Sequence, residues 1–444
     1  MANISLLGGT TRIEVPFIKI TLGNYTFGVY NKQAATVKSN GFYERMNIQY
    51  PNYVQSLDIV KINGQVNKYT LNIVYPIRVG DDPNFFEKVF SSIGKRRRIV
   101  FSYGDTNLPN YIYKNEEALI TNITSTFDVK NSKISYTIQA TSSAQLGYSG
   151  SVVGEAYKSE KPSTVIKKIL NNSDYGLKDL FYGMNNTKLV DQLGLIASND
   201  KEVPIAAKVG LSPLEYVNYL VSLMIPAGAS INNNKQNSFY VLTIHDDIDG
   251  QNINGSNLKY LGGPYFKITE VTKSIQHADA YELIIGYPTQ NIITSFNISN
   301  NENYSIYYDY QNELNSNEYV MRLNDQGEWE EDYCPRISAQ TKGNFSDTAE
   351  NVWWSKVTQY PISATVTLKG LLRPATLMQY VNLKVLFFGV PHISSGLYII
   401  TKQQDSISTN GYKTTLTLTR VSEMNSNVVE NSTKNTKKSN VVYL

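Results

Sequence analysis

Cysteine and histidine are nearly absent from this chain of 444 residues, which contains one cysteine and three histidines. The single cysteine, Cys334, excludes an intramolecular disulfide framework and any metal site built from several cysteines. The histidines, His245, His277 and His392, show no HExxH pair or other compact ligand spacing, so a zinc peptidase or amidase is poorly supported. We therefore expect no cofactor and no metal.

Charge and long apolar runs are also scarce. Charged residues make up 18% of the chain, and 41 Lys plus Arg against 38 Asp plus Glu leave a formal net charge of +3. This balance does not steer a whole molecule onto nucleic acid or an anionic membrane. No apolar run approaches the roughly 18 residues of a membrane span, and the N-terminal sequence lacks the regions of a signal peptide. We expect neither a specific nucleic-acid partner nor stable membrane insertion.

Tyrosine is abundant, with 33 residues, and Asn and Ser crowd the segments between short apolar runs. This mixture is typical of half-buried strands joined by many turns. The length favours two to four domains. We predict a fold that is mainly β, with an α/β middle domain.

The first 148 residues alternate apolar and polar side chains in short runs and are predicted to form a first β-barrel module. A short helix is expected to interrupt the strands, with Asp82 as its cap and Pro83 at its first position. Farther on, two alternating runs flank the polar residues 128–132. This pattern predicts a β-hairpin.

From residue 149 to residue 290 two segments have helical periodicity. One starts at Pro162 and the other at Ser212-Pro213, and each begins with residues that favour a helix start. These segments indicate the α/β middle domain. Residues 291–350 are rich in Asn and acidic residues and are expected to form an arm or insertion. Strand-like runs return in residues 351–424, a second β-barrel module, and residues 425–444 are expected to be a flexible tail.

Two regions of the sequence match one another. With a shift of 280 positions and no gap, Ile120 falls on Ile400 and Phe127 on Ile407. The same shift aligns residues expected inside the barrels: Tyr136 with Leu416, and Ile138 with Leu418. Upstream, Val100 is matched with Val385. A duplicated β-barrel module is the simplest interpretation, and chance similarity between two Thr-rich hairpins stays open as the alternative.

The C-terminal residues 366–420 follow a particular order. A strand ends in Gly370, a second apolar strand follows, Ser395-Gly396 opens the next strand, and a hairpin closes at Gly411 before an alternation that ends in Arg420. This stretch resembles the tail hub family of contractile phages, which includes the late-control D proteins and the hub part of type VI secretion spikes. Residues 288–296 resemble the short run that precedes the second barrel in such hubs.

The resemblance implies a baseplate hub in the tail of a virion, assembled in the host cytoplasm. It implies a homotrimer whose paired barrels form a pseudo-sixfold ring, with the hexameric tail tube protein above it, the trimeric central spike protein below it and other baseplate proteins around it. No enzymatic activity is expected. A tail-associated cell-wall hydrolase and a receptor-binding or carbohydrate-binding tail protein remain the alternatives.

Four further patterns have both a chemical and a structural interpretation. Glu328 and Glu330 could supply a glycosidase pair but lie in one polar run, which favours a solvated acidic loop. Residues 245–250 gather oxygen ligands without the spacing of a calcium loop, which favours a turn. Pro335 forces an extended chain at Cys334, which favours an inert thiol. The basic run of Lys95, Arg96, Arg97 and Arg98 could contact DNA phosphates, but a solvated face or charged subunit interface is favoured.

Overall fold

A computed structural model describes a large part of the chain. The described residues are 16–29, 48–51, 53–94, 97–105, 113–145, 159–172, 203–204, 211–224, 231–232, 235–236, 238–246, 265–272, 280–286, 293–300, 319–323, 329–333, 362–369, 377–392, 394–409 and 411–423. Within these residues the protein is mostly β, with few helices, as the sequence predicts.

The strands of the first part of the chain follow the alternating runs of the sequence, because successive side chains of a strand point to opposite faces. They are β1 (Pro16–Leu22), β2 (Tyr25–Val29), β3 (Tyr50–Pro51), β4 (Val54–Ile62), β5 (Lys68–Pro76), β6 (Arg98–Asp105), β7 (Tyr113–Asp128) and β8 (Lys133–Ser142). Burial alternates along β5, where every second residue from Tyr69 to Tyr75 is buried.

The middle of the chain has shorter elements. They are β9 (Ser159–Glu160), β10 (Val203–Pro204), β11 (Ile231–Asn232), β12 (Lys235–Gln236), β13 (Ser238–His245) and β14 (Tyr265–Thr272). The remaining strands are β15 (Tyr281–Ile285), β16 (Ile293–Asn300), β17 (Tyr319–Leu323), β18 (Trp329–Tyr333), β19 (Ile362–Lys369), β20 (Tyr380–Phe387), β21 (Val390–Pro391), β22 (Gly396–Ser408) and β23 (Gly411–Glu423).

Three α-helices are described, and each was expected from the sequence: α1 (Phe85–Ser92), α2 (Pro162–Asn171) and α3 (Pro213–Leu223). Helix α3 begins with a reciprocal capping box between Ser212 and Glu215. Helix α1 begins two residues later than predicted, because the Asp82 carboxylate accepts a hydrogen bond from the Asn84 N–H at 2.9 Å and so forms a turn ahead of the helix. No helix in the described ranges is long and apolar enough to cross a membrane.

Fifteen strands form one large sheet. Its strand order is β16-β19-β23-β22-β4-β5-β8-β7-β6-β1-β2-β3, and β20 pairs with β22, β21 and β15 beside this path. The β15–β20 pair is parallel. The sheet therefore runs without interruption from the C-terminal strands into the N-terminal ones through the β22–β4 pair.

The described residues form four apolar clusters, of which three are large. The first core gathers side chains of β1, β2, β4 to β8 and α1. The middle core gathers α2, α3 and β13. The second core gathers β15, β16, β19, β20, β22 and β23. The second core thus includes strands β15 and β16, which precede residue 351, the residue at which the sequence placed the start of the second module.

Three described strands, β16, β17 and β18, fall in the region from residue 291 to 350, which the sequence predicts to be an arm or insertion. Strands β17 and β18 pair as an antiparallel hairpin, with Arg322 opposite Glu330. The acidic run predicted as a loop is therefore partly a strand, because residues 329–333 pair along their length with β17. Glu328 and Cys334 lie outside the described residues.

Candidate assembly interface

The N-terminal and C-terminal parts of the large sheet have the same strand order. In the first part the order is β4-β5-β8-β7-β6, and in the second it is β16-β19-β23-β22-β20. All four neighbouring pairs are antiparallel in both parts. We call the two sets of five strands the first and second modules. A chance match between two hairpins does not account for five strands in one order.

Irregularities of strand pairing also coincide between the modules. In the β7–β8 pair the register shifts between Ile120 and Asn122, and in the β22–β23 pair it shifts between Ile400 and Lys402. The extra residues are Thr121 and Thr401, which are 401 − 121 = 280 positions apart. A β-bulge of this kind bends its strand and increases the local twist. Each long strand is therefore bent at the same place.

A second pair of bulges supports the same equivalence. The β4–β5 register shifts between Val54 and Ser56, and the β16–β19 register shifts between Ile293 and Ser295. Following the pairing across each module makes Leu57 equivalent to Phe296 and Ile59 equivalent to Ile298. Strand β16 is thus the second-module counterpart of β4.

The strand registers revise part of the sequence match. The first hairpin has four residues between Asp128 and Lys133, whereas the second has two between Ser408 and Gly411. Ile138 is therefore equivalent to Leu416, not to Leu418 as the ungapped match predicts. Because the difference is two residues, the same face stays buried. Upstream, the pairing makes Val100 equivalent to Asn382 and not to Val385.

The four hairpin residues expected in the barrels have nearly fully buried side chains. Tyr136 and Ile138 belong to the first core, and Leu416 and Leu418 belong to the second. Burial also raises the pKa of the Tyr136 hydroxyl to about 12. That these four side chains face the interior of closed barrels remains a prediction.

The modules are joined by strand pairing beyond the bulge at Thr401. Residues 402–408 of β22 stay paired with β23 of their own module on one side. On the other side they pair with β4, with Ile407 opposite Leu57 and Asp405 opposite Ile59. Both Ile407 and Leu57 are fully buried. Ile407 and Tyr412, at the tip of the second hairpin, belong to the first core. The second hairpin thus completes the core of the first module.

The corresponding half of the first hairpin has no such strand beside it. Residues 122–128 of β7 pair with β8 on one side, and no described strand pairs with the other side. Phe127, the counterpart of Ile407, is 63% exposed, and Val129 next to it is 86% exposed. Strand β16 ends the sheet, and no described strand pairs with its outer side. In the first module, the hairpin of β7 and β8 has one side with no paired strand among the described residues. In the second module, the same is true of the outer edge of β16.

Polar groups are buried along the joint between the modules. Asp405 is fully buried, and its carboxylate accepts hydrogen bonds from Gln403 at 2.6 Å, Thr414 at 2.7 Å and Tyr412 at 3.0 Å. Burial raises the pKa of Asp405, and the donors and the positive charge of Lys61 lower it in part. Lys61 lies on β4 directly opposite Gln403.

Lys61 extends this polar joint into the first module. Its ammonium forms a salt bridge with Glu116 on β7, whose side chain is nearly fully buried. The other Glu116 oxygen accepts hydrogen bonds from Tyr103 at 3.0 Å and Tyr69 at 3.1 Å. A buried carboxylate needs such partners, because an unpaired charge in an apolar core is costly.

Asp246, directly after β13, ties the middle segment to the first module. Its carboxylate accepts hydrogen bonds from Ser142 at 2.5 Å, Asn67 at 2.7 Å and Tyr69 at 3.0 Å. Burial, together with the nearby negative charge of Glu116, raises the pKa of Asp246 to about 7. Asp246 was considered as part of a calcium loop or a turn. In the structure its carboxylate oxygens accept hydrogen bonds from side chains in or next to the strands of the first module.

The other candidate residues are only partly described. Arg98 is exposed and forms a salt bridge with Glu117 at 3.0 Å, and Arg97 is exposed with a positive φ of 41°. Lys95, Arg96 and His277 lie outside the described residues. His392 is exposed, and its Nδ1 lies 2.6 Å from Ser394 Oγ. The described ranges contain no group of three or more His, Cys, Asp or Glu side chains placed to hold a metal ion.

The sequence matches no family model and no curated protein. Its structural neighbours are phage tail proteins and type VI secretion proteins. A tail protein from Neisseria meningitidis is similar with a TM-score of 0.49 and 8% identity over 91% of this chain and 96% of that one. A prophage tail protein from Shewanella oneidensis is similar with a TM-score of 0.47 and 8% identity over 91% and 98%.

A type VI secretion component from E. coli, described as similar in structure to the phage T4 tail proteins gp27 and gp5, has a TM-score of 0.43 and 10% identity, over 84% of this chain and 75% of that one.

Sequence analysis missed Lys61, Glu116 and Asp405. Each lies within an alternating strand. Lys61 and Glu116 meet across 55 positions of the chain, so no local spacing marks them. The partners of Asp405 lie on its own hairpin. A charged residue at the apolar phase of a strand is the available signal. Asp405 sits at this phase between Gln403 and Ile407, which are both buried.

Proposed function

We propose that this chain is a structural, non-enzymatic baseplate hub protein of a phage tail or contractile injection system. In this role it is a homotrimer that joins the hexameric tail tube to the trimeric central spike, within a virion assembled in the host cytoplasm. The observation that carries the proposal is the duplicated module, with one strand order and two coincident bulges in each copy.

Duplication suits a protein that connects two symmetries. A tube of six identical subunits presents six equal docking edges, whereas a spike of threefold symmetry presents three. Three chains with two equivalent modules each supply six similar edges on one face and keep threefold symmetry on the other. Closed rings require each heterologous interface to meet its complement. Two structural neighbours are described as tail proteins, and we propose that this chain is also located in a tail.

The open strand edges favour an assembled state. An unpaired strand edge is a template for pairing with another chain, and no described strand pairs with the outer side of β16. Burying that edge in a ring removes the tendency to aggregate. The exposed Phe127 and Val129 would also be covered by assembly.

The test is light scattering on the purified protein together with imaging of the intact particle. We expect three chains in solution and three copies in one ring at the end of the tail tube. A monomer in both settings, or six copies in the ring, would contradict the proposal.

Cell-wall zymography tests the non-enzymatic part of the proposal. We expect no lytic band from the purified chain. A band that disappears in the Glu328→Gln or Glu330→Gln variant would establish a hydrolase instead.

A further inference from the structure

We infer that β7 of one chain pairs with β16 of a second copy, in the same register that β22 and β4 use within the chain. This interface deepens the proposed hub function and rests on it. Within the chain, the β22–β4 pair joins the two modules. The inference assigns the same pairing to the equivalent edges of β7 and β16, with which no described strand pairs.

The equivalence fixes the register. Within the chain, Ser406 lies opposite Asp58 and Ile407 opposite Leu57. The counterparts of Ser406 and Ile407 on β7 are Thr126 and Phe127, since 406 − 280 = 126 and 407 − 280 = 127.

The counterparts on β16 follow from the strand pairing. Asp58 corresponds to Asn297, and Leu57 corresponds to Phe296. Between copies, Thr126 therefore faces Asn297 and Phe127 faces Phe296.

Burial differs between the two hairpins in the way that this pairing requires. The inward positions of β22, Gln403, Asp405 and Ile407, are fully buried beside β4. Their counterparts on β7 are partly or largely exposed, and Phe127 is the most apolar of the exposed ones. Phe296 is only partly buried at the rim of the second core. Pairing of the two strands places one aromatic ring against the other.

The tip of the second hairpin shows what the first hairpin would do. Tyr412 and Ile407 enter the first core, although both belong to the second module. Phe127, the exposed counterpart of Ile407, would enter the second core of the neighbouring copy, whereas Ile134, the counterpart of Tyr412, is already buried in the first core of its own chain. The interface is head-to-tail, because each chain offers β7 to one neighbour and β16 to the other. Such an interface produces a ring when its rotation closes.

Engineered cysteine pairs test the register in a Cys334→Ser background. The pair Thr126→Cys and Asn297→Cys uses two exposed positions that would lie directly opposite each other between copies. A disulfide requires Cα atoms closer than about 7 Å. We expect mild oxidation to link chains covalently, with species of two and three chains on a denaturing gel.

Two matched pairs serve as controls. Asp58→Cys with Ser406→Cys, opposite each other within the chain, should form a disulfide without linking chains. Asn122→Cys with Ser295→Cys uses the same exposed faces but is out of register by six residues, roughly 20 Å along the strands. This pair should leave single chains.

The outcomes separate the interface from the function. Linked chains from the Thr126 and Asn297 pair alone support the register. A trimer by light scattering that is not linked by this pair, or is linked equally well by the out-of-register pair, overturns the register and leaves the hub proposal standing. A single chain by light scattering overturns both.

Discussion

Leu418 and Thr417 are neighbours on β23 whose side chains lie on opposite faces of the sheet. Leu418 is fully buried in the second core, whereas Thr417 is only partly buried. Leu418→Asp places an unpaired charge in an apolar core, and we expect a loss of about 4 kcal/mol or more in unfolding free energy, enough to abolish soluble expression. Thr417→Asp should express normally. Soluble yield and urea unfolding measure the difference, and equal tolerance of both changes would mean that the faces are assigned wrongly.

Asp246 makes stability depend on pH in an unusual direction. Its pKa is about 7 in the folded protein and 3.8 in its ordinary state, so the folded protein holds a proton that the unfolded chain releases between these values. This contribution to stability is complete below pH 4 and is lost as the pH rises to 7, at up to about 1.4 kcal/mol per pH unit. We expect Asp246→Asn to flatten the decline in urea stability between pH 4 and pH 7.

The matched control for this change is Asp82→Asn. Asp82 is exposed, and hydrogen bonds from Lys88 and Asn84 lower its pKa, so it titrates below this pH range. The Asp82→Asn variant should keep the slope of the unmodified protein. A slope that persists in Asp246→Asn would assign the effect to Asp405, whose pKa is also raised by burial, or to other groups.

At the residue scale, sequence analysis could predict which side chains face a core but not which polar groups meet there. Leu416 and Leu418 are marked by strict alternation with Thr. Asp246 contacts Asn67 from 179 positions away in the chain, and Tyr69 from 177. Contacts at such separations depend on the folded path of the chain, which one sequence does not contain.

The two hairpins are equivalent elements in different surroundings, and truncation of their tips should separate them. Ile407→Ala removes a fully buried side chain from the first core, and we expect a loss of about 2–4 kcal/mol in unfolding free energy. Phe127→Ala removes a side chain that is 63% exposed in the single chain, so the loss should stay within about 0.5 kcal/mol in dilute, dissociated protein. Urea unfolding at low protein concentration measures both. Equal losses would mean that the first hairpin is already covered within its own chain.

At the element scale, strands, helices and the hairpin position were predictable because they depend on local periodicity and turn residues. The difference of two residues in the length of the hairpin turns was not predictable. A shift of two residues keeps the same face buried, so the ungapped match shows the same alternation with or without it. The parallel pairing of β15 with β20 also has no local signal. It places β15, which precedes residue 351, beside β20 of the second module.

Assembly at the scale of the whole molecule should appear in thermal unfolding. If folded chains associate and unfolded chains do not, the melting temperature rises with protein concentration. We expect this dependence for the unmodified protein and its loss in Phe127→Asp, which places a charge in the proposed contact between copies. Calorimetry over a hundredfold range of concentration measures it. A melting temperature that is independent of concentration would argue against an assembled native state.

The mainly β fold and the repeated hairpin were predictable at this scale, because the alternating strands of the two hairpins recur about 280 positions apart along the chain. The continuous sheet between the modules was not. It depends on the bend at Thr401, which directs residues 402–408 onto β4. The strand that pairs with β22 beyond this bend can be identified only from the folded structure.

The salt bridge of Lys61 and the neighbouring Asp405 have a consequence for the order of units around a ring. At the equivalent positions of the open edges stand Ile123 for Gln403, Ser125 for Asp405 and Asn300 for Lys61. If β22 of one copy met β16 of another, Asp405 would be buried with asparagine in place of the lysine. If β7 met β4, Lys61 would face Ile123. In the proposed ring, the charges of Lys61 and Asp405 would therefore be matched only where β22 meets β4, and this match would favour alternation of the first and second modules.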